Sequence, residues 1–387
     1  MSGERYQAVI VGAGLVGAAA ALALGRQGLR VALVERQPPP VPGEVWDTRI
    51  YAISPASQHF LERLGAWQRL DGGRIQPVFR MDVAGDTTGA LRLDAYAAGV
   101  SHLATILESG RLQYALWQAI EADDRVARYC PAAIASIERG EPTTRIVLDD
   151  GTVLETELVV GADGAASRIR EWAGLASTLS PYGQSGVVAN FECERPHRGT
   201  AFQWFFDSDI LAWLPLNGNR LSIVWSTRTE QADALVALDA AALTARVQAA
   251  GHARLGELRL LTPAAAFPLR LIRVDSAVAP GVALIGDAAH GVHPLAGQGV
   301  NLGFGDVEVL ATVLARCRQT RSYCGDVRVL QHYARERAEP VQRMQALTHG
   351  LHHLFSDPRA GWLRNAGMQI IDHLPPLKAA LVREAMS

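Results

Sequence analysis

Residues 6–35, YQAVIVGAGLVGAAAALALGRQGLRVALVE, constrain the fold more than any other stretch of the chain. Tyr6 to Val11 is a short apolar run with β-branched residues and reads as a buried parallel strand. Gly12-Ala13-Gly14-Leu15-Val16-Gly17 follows at once. Leu15 to Gln27 is rich in Ala and Leu and predicts a helix ending at Gly28, a residue suited to a helix C-terminus. Leu29 to Val34 is the next strand, closed by Glu35. Each part has a mechanical role in holding a dinucleotide. Gly12 permits the tight turn, Gly14 lets backbone amides approach a pyrophosphate, and Gly17 lets helix and strand pack closely. The helix N-terminus offers N–H groups and the positive end of its dipole to the phosphates. Glu35, twenty-one residues after Gly14, is placed to accept ribose hydroxyls. A carboxylate there suits an unphosphorylated ribose, hence NAD or FAD rather than NADP.

From Tyr6 to Gly25 no residue is charged, a length that hydropathy alone would read as a membrane span or a leader. The three spaced glycines argue instead for the strand–turn–helix unit, and the chain is expected to be soluble. At 387 residues it exceeds a typical single core, so two domains, interleaved in sequence, are expected. A net charge of −2 gives no reason to expect nucleic acid as a partner. Cys130, Cys193, Cys317 and Cys324 form no CxxC pair and read as reduced thiols in the cytoplasm, not as a disulfide framework or zinc site.

Two later segments read as returns to the same sheet. Leu154 to Val160 is a strand, followed by Gly161-Ala162-Asp163-Gly164 and a helix start capped by Ser167. A turn of small residues holding an acid suits a backbone-lined ligand edge. Val282 to Ile285 is a second such strand, followed by GDAAHGVHPLAGQGVNLGFGD, residues 286–306. Its helix runs from about Gln298 to Arg316, with Val300, Phe304, Val307, Leu310 and Leu314 at helical spacing. His290 and His293 raise the alternatives of a metal pair or a catalytic His/Asp pair. Three residues apart on a turn, without further ligands, they make a poor metal site, and no nucleophile-elbow sequence accompanies them. The helix start after Gly297-Gln298-Gly299 suits a group that becomes anionic, as a reduced isoalloxazine does near N1.

In this combination the chain resembles the single-component FAD-dependent aromatic hydroxylases. Within them it is similar to the ubiquinone-biosynthesis hydroxylases that act on polyprenylated phenols. The GDAAHGVHPLAGQGVNLGFGD segment, residues 211–226 from LAWLPL to VWS, and the C-terminal HLPPLKAALVREAM carry this likeness. The resemblance implies FAD bound by Gly12, Gly14, Gly17, Glu35, Arg36, Arg49, Arg111, Asp163, Gly286, Asp287, Pro294, Gly297, Gly299, Val300 and Asn301, with Gln113 a weaker candidate. Asp287 would reach the ribityl and pyrophosphate region, and Pro294, Gly297, Gln298 and Gly299 would line the flavin ring. It further implies NAD(P)H as a transient electron donor, O2 as co-substrate and oxygen transfer from a flavin C4a-hydroperoxide. Ala166-Ser167 stands where relatives often carry Asn-Ser, and Gly305 where many have a larger residue.

The expected fold is α/β: a Rossmann-like FAD-binding domain (1–75, 98–178 and 263–325) interleaved with a β-sheet substrate domain (76–97 and 179–262), plus a C-terminal helical region (326–387). Between 179 and 262 the chain reads as long strands in which Trp204, Phe206, Trp213, Leu216 and Trp225 dominate. Each reads singly as core; as a group they are placed to roof the flavin over a small hydrophobic aromatic substrate. Beyond Asp326 the positions Leu330, Tyr333, Val341, Met344, Thr348, Leu351 and Phe355 keep a helical rhythm. That stripe suits packing on the domain or on a second subunit. Peripheral contact with the inner membrane or a biosynthetic complex is the sharper alternative, against which the polar face is not strongly basic. A halogenase, a prenyl-chain reductase and a flavin-binding assembly component are the rival readings; the WxWxIP segment of halogenases is absent.

Overall fold

The structure is a computed structural model describing residues 3–85, 89–140, 142–206, 209–292, 297–320 and 322–356, the side chains of 318 and 351–356 excepted. Three sheets organise it. The first joins β1 (Glu4–Val11), β2 (Val31–Val34), β8 (Val126–Tyr129), β11 (Val153–Gly161) and β19 (Val282–Leu284) in the parallel order β19-β11-β1-β2-β8. Antiparallel β9 (Ile134–Glu138), β10 (Thr144–Leu148) and β18 (Val278–Ala279) complete it. The parallel strands are apolar where they are buried on both faces, one face covered by α-helices and the other by β9, β10 and the segment around Ile169 and Trp172. Ala-rich α1 (Leu15–Arg26) packs closely against α3 (Ser109–Glu121) and α7 (Gly299–Thr320).

The second sheet runs β16-β12-β15-β14-β13-β5-β6, with β17 alongside β12. Its strands are β5 (Arg80–Ala84), β6 (Ala90–Asp94), β12 (Ser177–Cys193), β13 (Thr200–Phe206), β14 (Asp209–Leu216), β15 (Arg220–Arg228), β16 (Leu258–Leu260) and β17 (Ala265–Val274). β17, placed by the sequence reading with the dinucleotide-binding part, pairs along β12 from Ser177 to Val188. The third sheet, β3 (Ile50–Ile53), β7 (Ala104–Glu108) and β4 (Gln76–Val78), lies between the other two. The remaining α-helices among the described residues are α2 (Pro55–Arg63), α4 (Arg168–Trp172), α5 (Thr229–Val236), α6 (Ala240–Ala250) and α8 (Val327–Ser356). The helix expected after Asp326 is therefore present; Leu351 and Phe355 have side chains outside the described residues, as does the whole HLPPLKAALVREAM segment.

One expectation is overturned. Trp204, Phe206, Trp213 and Trp225 do not roof a ligand: they form one core with Ala232 and Leu235 of α5 and Leu243 and Val247 of α6. These two helices, unforeseen between the strands, bury the strongly apolar face of the second sheet. Leu216 lies on the opposite face, packed with Val78, Ile106 and Ala201 beside Trp46, Ile50 and Ala52. The face turned toward the dinucleotide fold is thus the less aromatic one.

Candidate cofactor site

Register brings the three glycine-containing turns together. Val11 pairs with Gly161, and Gly161 with Leu284, so the chain leaves three adjacent strands at one level. This is the carboxyl edge of a parallel sheet where strand order reverses, the crevice in which such folds bind ligands.

The first turn is shaped by what each glycine excludes. Gly12 has φ +102°, and a Cβ there would stand 2.5 Å from the Ala162 carbonyl oxygen. At Gly17 a Cβ would lie 2.0 Å from the Gly12 oxygen. Gly14 differs: a Cβ would meet no protein atom within 4 Å. Gly14 also caps α1 with extended backbone, no capping side chain and no acid in the first turn. The helix's first amides are therefore left facing space the protein does not fill, which fits a pyrophosphate. Glu35 Oε2 accepts from Ala13 N at 2.5 Å and Oε1 from Arg36 N at 2.6 Å. Gln113 Nε2 donates to Ala13 O at 3.2 Å, so both side chains hold the turn itself. Arg36 is exposed beside Glu35.

In the second turn Asp163 starts α4. Its carboxylate accepts from Ser167 Oγ (2.5 Å), Arg168 N (2.7 Å) and Ile169 N (3.1 Å), while Ser167 Oγ accepts from Arg170 N as foreseen. Arg170, buried and not anticipated, donates to Ala165 O and Ala288 O and so ties the second turn to the third.

The third turn is held from behind by a buried acid that sequence reasoning passed over. Asp306 accepts from Gly286 N (2.9 Å) and His290 Nε2 (2.7 Å) through Oδ2, and from Arg337 Nε (2.7 Å) through Oδ1. Burial would raise its carboxyl, but the charge and hydrogen bond of His290, with Arg337 and the Gly286 amide, hold it below the ordinary carboxylate range. His290 is thus a buried structural partner; His293 and Pro294 lie outside the described residues. Arg337 also donates to Leu302 O, Tyr333 to Leu284 O, and Gln345 to Ile272 O and Gly291 O. One face of α8 therefore braces the end of β19, the start of α7 and the chain after His290. Asp287 presents its side chain to solvent from within a crowded recess. That crowding raises its carboxyl, His290 and Arg49 oppose the shift, and Asp306 adds to it.

Asn301 pins the first turn of α7: Oδ1 accepts from Ser54 N (3.0 Å), and Nδ2 donates to Ala52 O (2.9 Å) and Gln298 Oε1 (3.1 Å). Val300 is buried in the core, and Gly297 lies with φ +62° beside Ala52. Arg49 is exposed, its guanidinium 4.9 Å above the Phe267 ring. Arg111 is fixed instead, donating to buried Glu108 at 2.9 Å and to Gly43 O at 2.6 Å; Arg74 makes two further bonds to Glu108. Among the described residues no cluster of three His, Cys, Asp or Glu could hold a metal, and no helix is long and apolar enough to cross a membrane.

The comparisons with known proteins agree with this geometry. A family described as FAD binding domain matches residues 5–348. The 3-demethoxyubiquinol 3-hydroxylase of Escherichia coli (strain K12) is 34% identical over 390 residues, covering 100% of both chains. The mitochondrial ubiquinone biosynthesis monooxygenase COQ6 of Homo sapiens is 33% identical over 432 residues, covering 97% of this chain and 92% of that one. The crystal structure of pqsL, a probable FAD-dependent monooxygenase from Pseudomonas aeruginosa, superposes with a TM-score of 0.79 at 25% identity, covering 95% of this chain and 100% of that one. Matched by that family over residues 5–348 and by these relatives along nearly its whole length, the chain belongs to the FAD binding domain family.

Proposed function

We propose that the protein is an FAD-dependent monooxygenase that hydroxylates the aromatic ring of a prenylated phenol or quinol in ubiquinone biosynthesis, with NAD(P)H as electron donor. The observation that carries this reading is what adjoins the cofactor turns. β3, bonded through Ala52 to the start of α7, packs against the less aromatic face of the second sheet. On that face Val188, Val224 and Ala212 sit in register on neighbouring strands and are only half-buried. A half-open apolar strip beside a flavin-binding edge suits a small hydrophobic aromatic substrate. The names of the relatives supply the reaction and the pathway.

Bound FAD supplies O2 activation and delivery of one oxygen atom to an electron-rich ring. The chain's residues hold, orient and shield. The α1 and α7 N-termini place positive dipole ends at two points along the site. The turn backbones leave room for the cofactor, and the apolar strip keeps water from the reacting carbon. A prenyl tail partitions into a bilayer, so the protein works peripherally at the inner membrane, on its cytoplasmic side.

Turnover with a short-chain prenylated phenol, NADPH and 18O2 tests the proposal. One 18O atom in a new ring hydroxyl is expected. A product saturated in its prenyl chain would move the protein to the reductases. FAD that is reduced and reoxidised without any ring product would make it a flavin-binding component.

A further inference from the structure

Two buried oxygens on the cofactor-facing side of the second sheet lack hydrogen-bond partners among the described residues: Asn190 Oδ1 and Ser222 Oγ. Both residues are wholly buried. They stand directly opposite each other, Asn190 on β12 and Ser222 on β15. Asn190 is otherwise well held, its backbone N–H donating to Thr262 Oγ1 at 2.9 Å and its Nδ2 to Asp47 O at 2.8 Å. A buried polar atom without a partner is destabilising, and two side by side are a departure that packing does not account for.

Their surroundings indicate what relieves it. Two residues along each strand, on the same face, lie half-buried Val188 and Val224. Leu214 stands opposite Ser222 on β14 and packs among the residues beneath β3. The segment that crosses this face bonds Asn190 through Asp47 and two residues later carries Arg49 over Phe267. The wall therefore runs from an apolar, partly open strip to a polar, closed end about 7 Å further on, the spacing of two residues along a strand. An aromatic ring with an oxygen substituent has that length and that polarity.

We infer that Asn190 and Ser222 form the polar anchor of the substrate site. A ring hydroxyl donates to Asn190 Oδ1 and accepts from the Ser222 hydroxyl, while the ring lies on Val188 and Val224. Side-chain rotation of the pair admits the hydroxyl, a scale of change common on binding. The anchor sets which ring substituent enters first and therefore which carbon faces the cofactor. This inference rests on the proposed aromatic substrate.

The test compares FAD-loaded wild type with Ser222→Ala and Asn190→Leu. Binding of a short-chain prenylated phenol and of its O-methyl ether is read from the flavin absorption change, which does not require turnover. Wild type should prefer the free phenol by at least about 100-fold, because a site built to bond a hydroxyl rejects an analogue that leaves its polar groups unpaired. In Ser222→Ala the preference should fall about tenfold or more, while the melting temperature holds or rises as an unsatisfied oxygen is removed. Asn190→Leu, which also loses the Asp47 bond, should erase the preference. An unchanged preference in Ser222→Ala overturns the inference, whatever its melting temperature. Wild type that binds both probes alike also removes the anchor while leaving the proposed function standing; wild type that binds neither removes both.

Discussion

Replacing Asp306 with Asn separates the brace behind the cofactor turn from the turn itself. The carboxylate is wholly buried and receives three donors, the Gly286 amide, His290 and Arg337, at 2.9, 2.7 and 2.7 Å. An amide of the same shape keeps one oxygen but turns an NH2 group toward a donor, and it leaves the Arg337 guanidinium, 11% exposed, without its counter-charge. Removing one partner of a buried pair costs about 3–5 kcal/mol, a large share of the roughly 5–15 kcal/mol that stabilises a folded domain. Because Asp306 also holds the Gly286 amide, disturbing it should lower FAD affinity as well, by about 10- to 100-fold if about 1.4–2.8 kcal/mol of the loss is local. The assay is urea unfolding at neutral and acid pH, with FAD titration of the refolded apoprotein. The pH dependence has a definite sign. The Asp306 carboxyl sits below its ordinary 3.8 in the folded state, so its stabilisation is full above that value and is lost as pH falls through the lowered one. The gap between wild type and variant should therefore be widest at neutral pH and close below about pH 4. A gap under about 1 kcal/mol at pH 7, or one that stays constant into acid, would refute the reasoning.

Gly14→Ala should leave apoprotein stability unchanged, since φ is −63° and no protein atom approaches the new methyl group. It should weaken FAD binding at least about tenfold, because the methyl occupies cofactor space; wild-type FAD affinity would show that the open space is not the pyrophosphate site. Trp213→Ala should cost about 3–5 kcal/mol in denaturant unfolding, as deletion of a buried indole does, while substrate KM and the position of hydroxylation stay fixed. A shifted product would return the tryptophans to the pocket. Gln345→Leu strips the Ile272 and Gly291 carbonyls of their buried donor and should cost about 1–3 kcal/mol. FAD affinity measured by titration should drop with it, and an unaltered affinity would show that α8 does not brace the flavin turn.

Much of the site was legible because its signals are local. Gly12, Gly14 and Gly17 between a β-branched run and an Ala-rich run predict a turn and a helix start, and both stand where the spacing puts them. Ser167 as a cap and the strand before Gly286 were readable for the same reason: each depends on residues within a few positions. Asp163 was legible as a turn acid, but not that its oxygens are occupied by the start of α4. Asp239, followed by an Ala-rich run, carried a readable helix signal for α6 that the strand pattern around it obscured.

The sequence alone determined the strand–turn–helix unit, three glycine-containing turns after parallel strands and a sheet with one strongly apolar face, because propensity, glycine conformation and capping act between near neighbours. Only tertiary structure decided which face of that sheet meets the cofactor. Alternation shows that a strand has two faces, but the second sheet's apolar face could have been covered by helices or by ligand, and α5 and α6 took it. Tertiary structure likewise joined Asp306 to His290, sixteen residues away, and to Arg337, thirty-one away. A buried charge is stable only where its partners converge, and that convergence is a property of packed helices, not of any single stretch of chain.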